Sequence, residues 1–175
     1  TKSEQTDLMQ AVYGRNGESP LVVIAATSPT NCFDSAYMAS KIALEHMTPV
    51  ILLTDGFIAN GSAAWKIPSL KDYPAINPPY VTPEMQEGWK PYQRDLETMV
   101  RSWAIPGTEG FQHRLGGLEK DYDTGAISTD ASNHQKMTLT RQAKIDYIAN
   151  CIPEQEVLGD KDDAELLIVG WGGTY

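Results

Sequence analysis

Asp55, Gly56 and Asn60 are the residues whose types and spacing best suit a ligand-facing loop. They follow an apolar run in "TPVILLTDGFIANGS" (48–62). A carboxylate closes the run, glycine lets the backbone turn sharply or approach another surface, and Asn60-Gly61 favours a further turn. Asp55 can line a site there, or it can bond its own backbone and simply end a strand. A second candidate is "AATSPTN" (25–31), where Thr27 and Ser28 precede a helix start of the kind that suits anions. The same residues also make an ordinary helix cap. His113-Arg114 lies in a Gly-flanked loop. The planar fork of Arg114 can hold a carboxylate bidentately, whether a substrate's or a scaffold partner's. His46, His113 and His134 stand singly, and His46 falls near a helix end, where a cationic ring favours the dipole.

Other chemistries are disfavoured by what the chain lacks. There is no G-x-x-x-x-G-K-[ST], G-x-S-x-G or H-E-x-x-H motif. "VGWGGTY" (169–175) approaches a dinucleotide fingerprint, but G-x-G-G is not G-x-G-x-x-G. Cys32 and Cys151 sit in separate segments without a C-x-x-C, which argues against a disulfide framework, a zinc ribbon or an iron–sulfur ligand set. A formal net charge of -9 disfavours binding to nucleic-acid phosphates. Part of that charge is in "GDKDDAE" (159–165), which reads as a solvated loop. No apolar run approaches the ~18 residues that cross a bilayer. The opening "TKSEQTDL" is not a basic-then-apolar leader, so the cytoplasm is the default compartment. No complete catalytic constellation is visible.

The elements that must position these residues are legible from periodicity. Residues 1–13 read as a helix, with Thr1 and Glu4 at capping-box spacing and Leu8, Met9, Val12 and Tyr13 near one face. "GRNGESP" ends it. "LVVIAA" (21–26) and "PVILLTD" (49–55) are continuous apolar runs, as expected of strands covered on both faces. Ser28-Pro29 opens the intervening helix, along which Phe33, Ala36, Tyr37, Ser40, Ala43, Leu44 and Met47 recur at helical spacing. Strand, helix, strand is a βαβ unit with a parallel sheet. The fold class is therefore α/β: a parallel sheet with flanking helices, followed by an irregular Pro- and Gly-rich extension.

Six prolines between residues 66 and 94 preclude a long regular element there. Tyr73, Tyr80, Trp89, Tyr92 and Trp103 supply enough surface to expect an ordered, wrapped excursion. Residues 107–130 are turn-rich with room for one short hairpin. A helix is expected near 131–152, its face formed by Met137, Arg141, Lys144, Ile145, Ile148 and Ile152. "AELLIVGWGG" then begins a new strand. That strand and the missing initiator Met suggest a piece of a longer polypeptide.

In combination, "TKSEQTDLMQAVYGRNGE", "SPTNCFDSAYMASKIALEHMTPVILLTDGFIANGSAAWKIP", "HRLGGLEKDYDTG", "NHQKMTLTRQAKID" and "LLIVGWGGTY" resemble the alpha subunit of bacterial 2-oxoacid:ferredoxin oxidoreductases, most closely the 2-oxoglutarate type. Branched-chain 2-oxoacid relatives share the same segments. The resemblance implies that residues 1–65 are the later half of a domain that binds the aminopyrimidine ring of thiamine diphosphate. It makes 66–160 a connection, and 161–175 the first strand of a transketolase C-terminal-like domain. It implies a beta subunit holding the diphosphate, its Mg²⁺ and an iron–sulfur cluster, with ferredoxin and coenzyme A served through the complex. The reaction implied is oxidative decarboxylation of a 2-oxoacid to its acyl-CoA, chemistry that the cofactor carries. Asp55, Gly56 and Asn60 are then expected to face the cofactor, and Arg114 the substrate. No catalytic residue is assigned: the activating glutamate of the family lies upstream of this segment, and Glu4 is not given its role. The family's "GLEH" is "GLEK" here (117–120), so no histidine role passes to Lys120. The piece alone is expected to be inactive. Two other readings are a self-sufficient nucleotide-binding module, from the βαβ unit and "VGWGGTY", and a non-catalytic interaction domain, from the Pro- and aromatic-rich stretch.

Overall fold

The computed structural model describes residues 6–174. Helix α1 (Thr6–Tyr13) closes where the Gly14 amide donates to Gln10 O at 2.8 Å. The capping box expected at Thr1 and Glu4 lies outside the described residues. Strands β1 (Val22–Ala25) and β2 (Val50–Leu53) pair in parallel, in register from Val22–Val50 to Ala25–Leu53. One more bond, from the Ala26 amide to Leu53 O at 3.0 Å, extends the ladder toward the strand exits. Every strand residue is only partly buried, which corrects the expectation of cover on both faces. Among the described residues the sheet has two strands, so each is an edge. Helix α2 packs on them.

Helix α2 (Cys32–His46) starts three residues later than Ser28-Pro29 suggested. The local chemistry explains the delay. Ser28 takes the Asn31 amide on both its carbonyl and its hydroxyl, each at 3.1 Å, closing a separate turn before the helix. Asn31 then links strand exit to helix: its Oδ1 accepts from the Thr27 amide at 3.2 Å and from Ser35 Oγ at 2.9 Å. At the other end Met47 adopts a left-handed conformation (φ 46°), and its amide returns to Ala43 O. That bend delivers the chain into β2.

The proline-rich stretch is ordered and wraps α2, as its aromatic content suggested. Phe33, on α2, meets Trp65 at 5.8 Å and Tyr73 edge-on at 5.4 Å between ring centres. Tyr73 donates its hydroxyl to Asp34, and Tyr37 donates to Pro74 O. Farther along, the Asn77 amide donates to Glu45 at 2.9 Å and Trp103 Nε1 to Leu44 O at 2.8 Å. Regular secondary structure within the excursion is limited to isolated bridges, Tyr80–Trp103 and Arg94–Arg101, and two short 3-10 turns, with scattered turn hydrogen bonds between them. Proline withholds the donors that a longer ladder would need. The hairpin expected within 107–130 reduces to one antiparallel bridge, Lys120–Ile127, across a turn that Asp121 braces by accepting the Thr124 amide at 2.8 Å.

The last long helix runs Ala131–Ala149. Asp130 caps it, accepting the Asn133 amide at 2.7 Å. Met137, Thr140 and Ile148 are its buried positions, against an expected face that included Ile152, which lies past the helix and is exposed. The chain leaves the helix at Asn150, three residues before Pro153. Residues 166–169 form no strand, and Leu166, Leu167, Ile168 and Val169 are all more than two-thirds exposed. Extended backbone becomes a strand only when a neighbour takes its hydrogen bonds, and no described segment lies beside it.

Candidate functional site

The parallel pair sends both strands out at the same end, the place where open α/β sheets bind ligands. Short helix α3 (Gly56–Asn60) begins there. Asp55 is its cap: one carboxylate oxygen accepts the Ile58 amide at 2.8 Å. The other accepts the Gly173 amide at 2.8 Å, so a single side chain ties the exit of β2 to the loop Trp171–Thr174. These backbone donors, Ile58 foremost and Gly173 next, hold the Asp55 carboxyl below its ordinary pKa. Asp55 is thus an anion fixed in place.

Each glycine of that loop has its own structural reason, backbone conformation at Gly172 and the Asp55 contact at Gly173. Gly172 has φ +64°, a conformation that costs residues with a Cβ. A Cβ on Gly173 would overlap Asp55 Oδ2. Gly172 itself is buried beneath. The "GWGGT" sequence is therefore shaped by Asp55, a partnership that separation along the chain hid. Its legible signal was the glycine pair itself, which reads as a tight backbone approach.

Gly56 is the first residue of α3, and its carbonyl accepts from Asn60 Nδ2 at 2.8 Å. Asn60 keeps its Oδ1 without a partner among the described residues. Phe57 stands 75% exposed on the same short helix. Thr27 and Ser28 do not form an open anion cradle, because Asn31 and the Ser28 turn occupy the donors at the start of α2.

Arg114 is not brought to this end. Its neighbours His113 and Leu115 line an apolar cleft of about 320 Å³ with Leu44 and Met47, residues at the close of α2 and hence near the start of β2. Arg114 is exposed and makes no ion pair among the described residues, so the scaffold salt bridge considered for it is not formed. His113 Nδ1 donates to Phe111 O (2.8 Å), and the ring packs edge-on to Trp89. His46 departs from the dipole reading: burial first, then nearby lysines, lower its pKa, and its Nδ1 is buried without a partner. Burial that disfavours the charged ring works against any gain from the helix terminus. Lys120 is buried, its ammonium donating to Gly116 O at 2.7 Å and to Leu118 O, so it shapes the "GGLEK" turn. A cluster of cations near Lys144 was not apparent in the sequence, because its members come from segments far apart.

Among the described residues no group of three or more His, Cys, Asp or Glu is placed to hold a metal. No helix there is long and apolar enough to cross a membrane.

Comparison with known proteins agrees with this architecture. Residues 1–132 match the family model described as pyruvate flavodoxin/ferredoxin oxidoreductase, thiamine diphosphate-binding. The 2-oxoglutarate oxidoreductase subunit KorA of Mycobacterium tuberculosis is 51% identical over 175 residues, all of this chain and 26% of that protein. The 2-oxoglutarate synthase subunit KorA of Archaeoglobus fulgidus is 37% identical over the whole chain, which covers 42% of it. A solved 2-oxoglutarate:ferredoxin oxidoreductase from Magnetococcus marinus, with 2-oxoglutarate, coenzyme A and succinyl-CoA bound, superposes with a TM-score of 0.85 at 28% identity. That match covers 98% of this chain and 29% of the solved one. The chain thus spans well under half the length of these relatives. Its matched residues and its parallel α/β core make it a member of the pyruvate flavodoxin/ferredoxin oxidoreductase thiamine diphosphate-binding family.

Proposed function

We propose that this chain is a segment of the alpha subunit of a cytoplasmic 2-oxoglutarate:ferredoxin oxidoreductase. Residues 1–65 form part of its pyrimidine-binding domain, 66–160 the connection, and 161–175 the start of the next domain. The 51% identity to the KorA subunit over all 175 residues carries this reading. The strand exits fit a ring-facing role. Phe57 offers an exposed aromatic face, Asn60 Oδ1 an acceptor, and Asp55 a fixed negative charge.

They do not fit a diphosphate or its metal: residues 54–62 contain no Lys or Arg, and both Asp55 oxygens are already engaged. We assign diphosphate, Mg²⁺ and iron–sulfur cluster to a beta subunit, as the family resemblance implies. Thiamine diphosphate supplies the nucleophile and electron sink for decarboxylation when bound. Asp55 keeps the loop in position, Gly56 sets the turn that starts α3, and Asn60 orients the ring. Arg114, without an ion pair among the described residues, is assigned to a substrate carboxylate in a site completed by other polypeptide.

The test uses the complete alpha–beta complex. Ferredoxin reduction with 2-oxoglutarate and coenzyme A is expected, with branched-chain 2-oxoacids slower. Failure on every 2-oxoacid overturns the assignment. Within an active complex, Asn60→Ala should raise the thiamine diphosphate concentration for half-maximal rate several-fold; an unchanged value removes Asn60 from the cofactor's surroundings.

A further inference from the structure

A second cavity, of about 500 Å³, opens between the 92–101 stretch, the Gly116–Lys120 turn and the long helix Ala131–Ala149. Its charge is out of keeping with a chain of net charge -9. Arg94, Arg101, Lys120, Arg141 and Lys144 line it, against one carboxylate, Glu119. That carboxylate is already shared by His134 Nδ1 at 2.8 Å and Arg141 at 3.6 Å, and Arg141 also pairs with Glu18.

The other cations have no acidic partner among the described residues; neutral groups hold them. Arg94 donates to Tyr92 O at 2.9 Å and Tyr122 O at 2.8 Å, touches Met137 Sδ at 3.4 Å, and lies 4.7 Å from the Tyr122 ring centre. Arg101 donates to Pro91 O at 3.2 Å and stacks 4.2 Å from the Tyr92 ring centre. Lys144 donates to Met47 O at 2.7 Å, and Lys120 to the Gly116 and Leu118 carbonyls. Carbonyls and rings orient these side chains but leave their charges uncompensated. Burying like charges together without a counter-ion is costly, and buried charges are ordinarily paired. Burial and mutual repulsion lower the pKa of Arg94, and burial lowers that of Arg101. Their fixed geometry suits a ligand that brings the missing charge, since pre-set donors bind phosphate oxygens without further ordering.

We propose that this cavity binds a small phosphate-bearing anion, gripped by Arg94, Arg101 and Lys144 with Lys120 and Arg141 at its rim. Several cations converging from separate segments match a group with several oxygens and at least two charges better than a lone carboxylate. The site is at the start of β2, as the bond from Lys144 to Met47 O fixes, and Asp55 is beyond the end of that strand. A cofactor ring against the strand exits leaves it open.

Inorganic pyrophosphate is the probe. The complete protein, loaded with thiamine diphosphate and Mg²⁺ and then freed of the unbound excess by gel filtration, would be titrated calorimetrically at low ionic strength. Saturable binding is expected, weakened at least tenfold by Lys144→Met and by Arg101→Gln, and less by Arg101→Lys. Lys144→Met removes a buried charge, so folding should survive; a melting curve for each variant confirms this. Absence of saturable heat overturns the proposal, as it would if an acidic protein segment filled the cavity. Equal binding by folded variants also overturns it, and so does binding of citrate in preference to pyrophosphate. None of these outcomes depends on turnover of a 2-oxoacid.

Discussion

Asp55 shows how one carboxylate can be both a structural clasp and the fixed charge of a candidate site. Its two oxygens serve amides separated by more than a hundred residues, Ile58 and Gly173. The pairing predicts strong non-additivity. Gly173→Ala should destabilise the protein by about 1–3 kcal/mol through overlap with Asp55. In an Asp55→Ala background, where the overlapping oxygen is gone, most of that cost should vanish. Urea unfolding of the two single variants and the double variant measures this; equal cost in both backgrounds refutes the clasp. In the sequence, Asp55 was visible as a strand-ending acid, with site and structural roles both open. Gly173 was not visible as its partner, because nothing local marks a bond to a distant amide. His46 was misread for a related reason: helix position is legible in a sequence, whereas the burial that neutralises a ring is not.

At the scale of elements, the βαβ unit was legible because apolar runs and helical spacing are local patterns, and parallel pairing followed from the helical crossover. Two details were not. Ser28 looked like the cap of α2, but competition from its own turn moved the start to Cys32. The apolar run 166–169 reads as a strand by composition, yet pairing depends on a neighbour that periodicity cannot supply. The excursion was harder still, since its order comes from side chains reaching α2. Tyr73 tests that attachment. The hydrogen bond to Asp34 above all, with Asp34's negative charge adding to it, pushes the Tyr73 hydroxyl up to about 12. Ultraviolet titration should find one tyrosine still protonated at pH 11. Asp34→Asn should return it toward the usual value of about 10. If no tyrosine titrates late, the clasp between Tyr73 and α2 is absent in solution.

For the whole molecule, the pattern of charge matters more than its sum. Lys144, partly buried beside Arg94, Arg101 and Arg141, has its pKa lowered to about 8, by burial first and repulsion second. An unfolded lysine titrates near 10.4. Below pH 8 both states hold the proton, and the folded state bears the cost of the confined charge. From about pH 8 to about pH 10.5 the unfolded state holds more protons, so this group makes stability rise with pH, by about 1–2 kcal/mol at pH 9.5. Denaturant unfolding at pH 7.5 and 9.5 should show that gain, and Lys144→Met should flatten it; an unchanged slope shows that Lys144 keeps an ordinary pKa. The bond from Asp55 to Gly173 carries a kinetic consequence at this scale. It spans 118 residues, and the excursion around α2 lies between its two ends. Closing so long a loop is slow compared with forming a local turn. Protection of the Gly173 amide against hydrogen exchange should therefore be among the last signals to appear during refolding, a native timer of when the chain has finished wrapping.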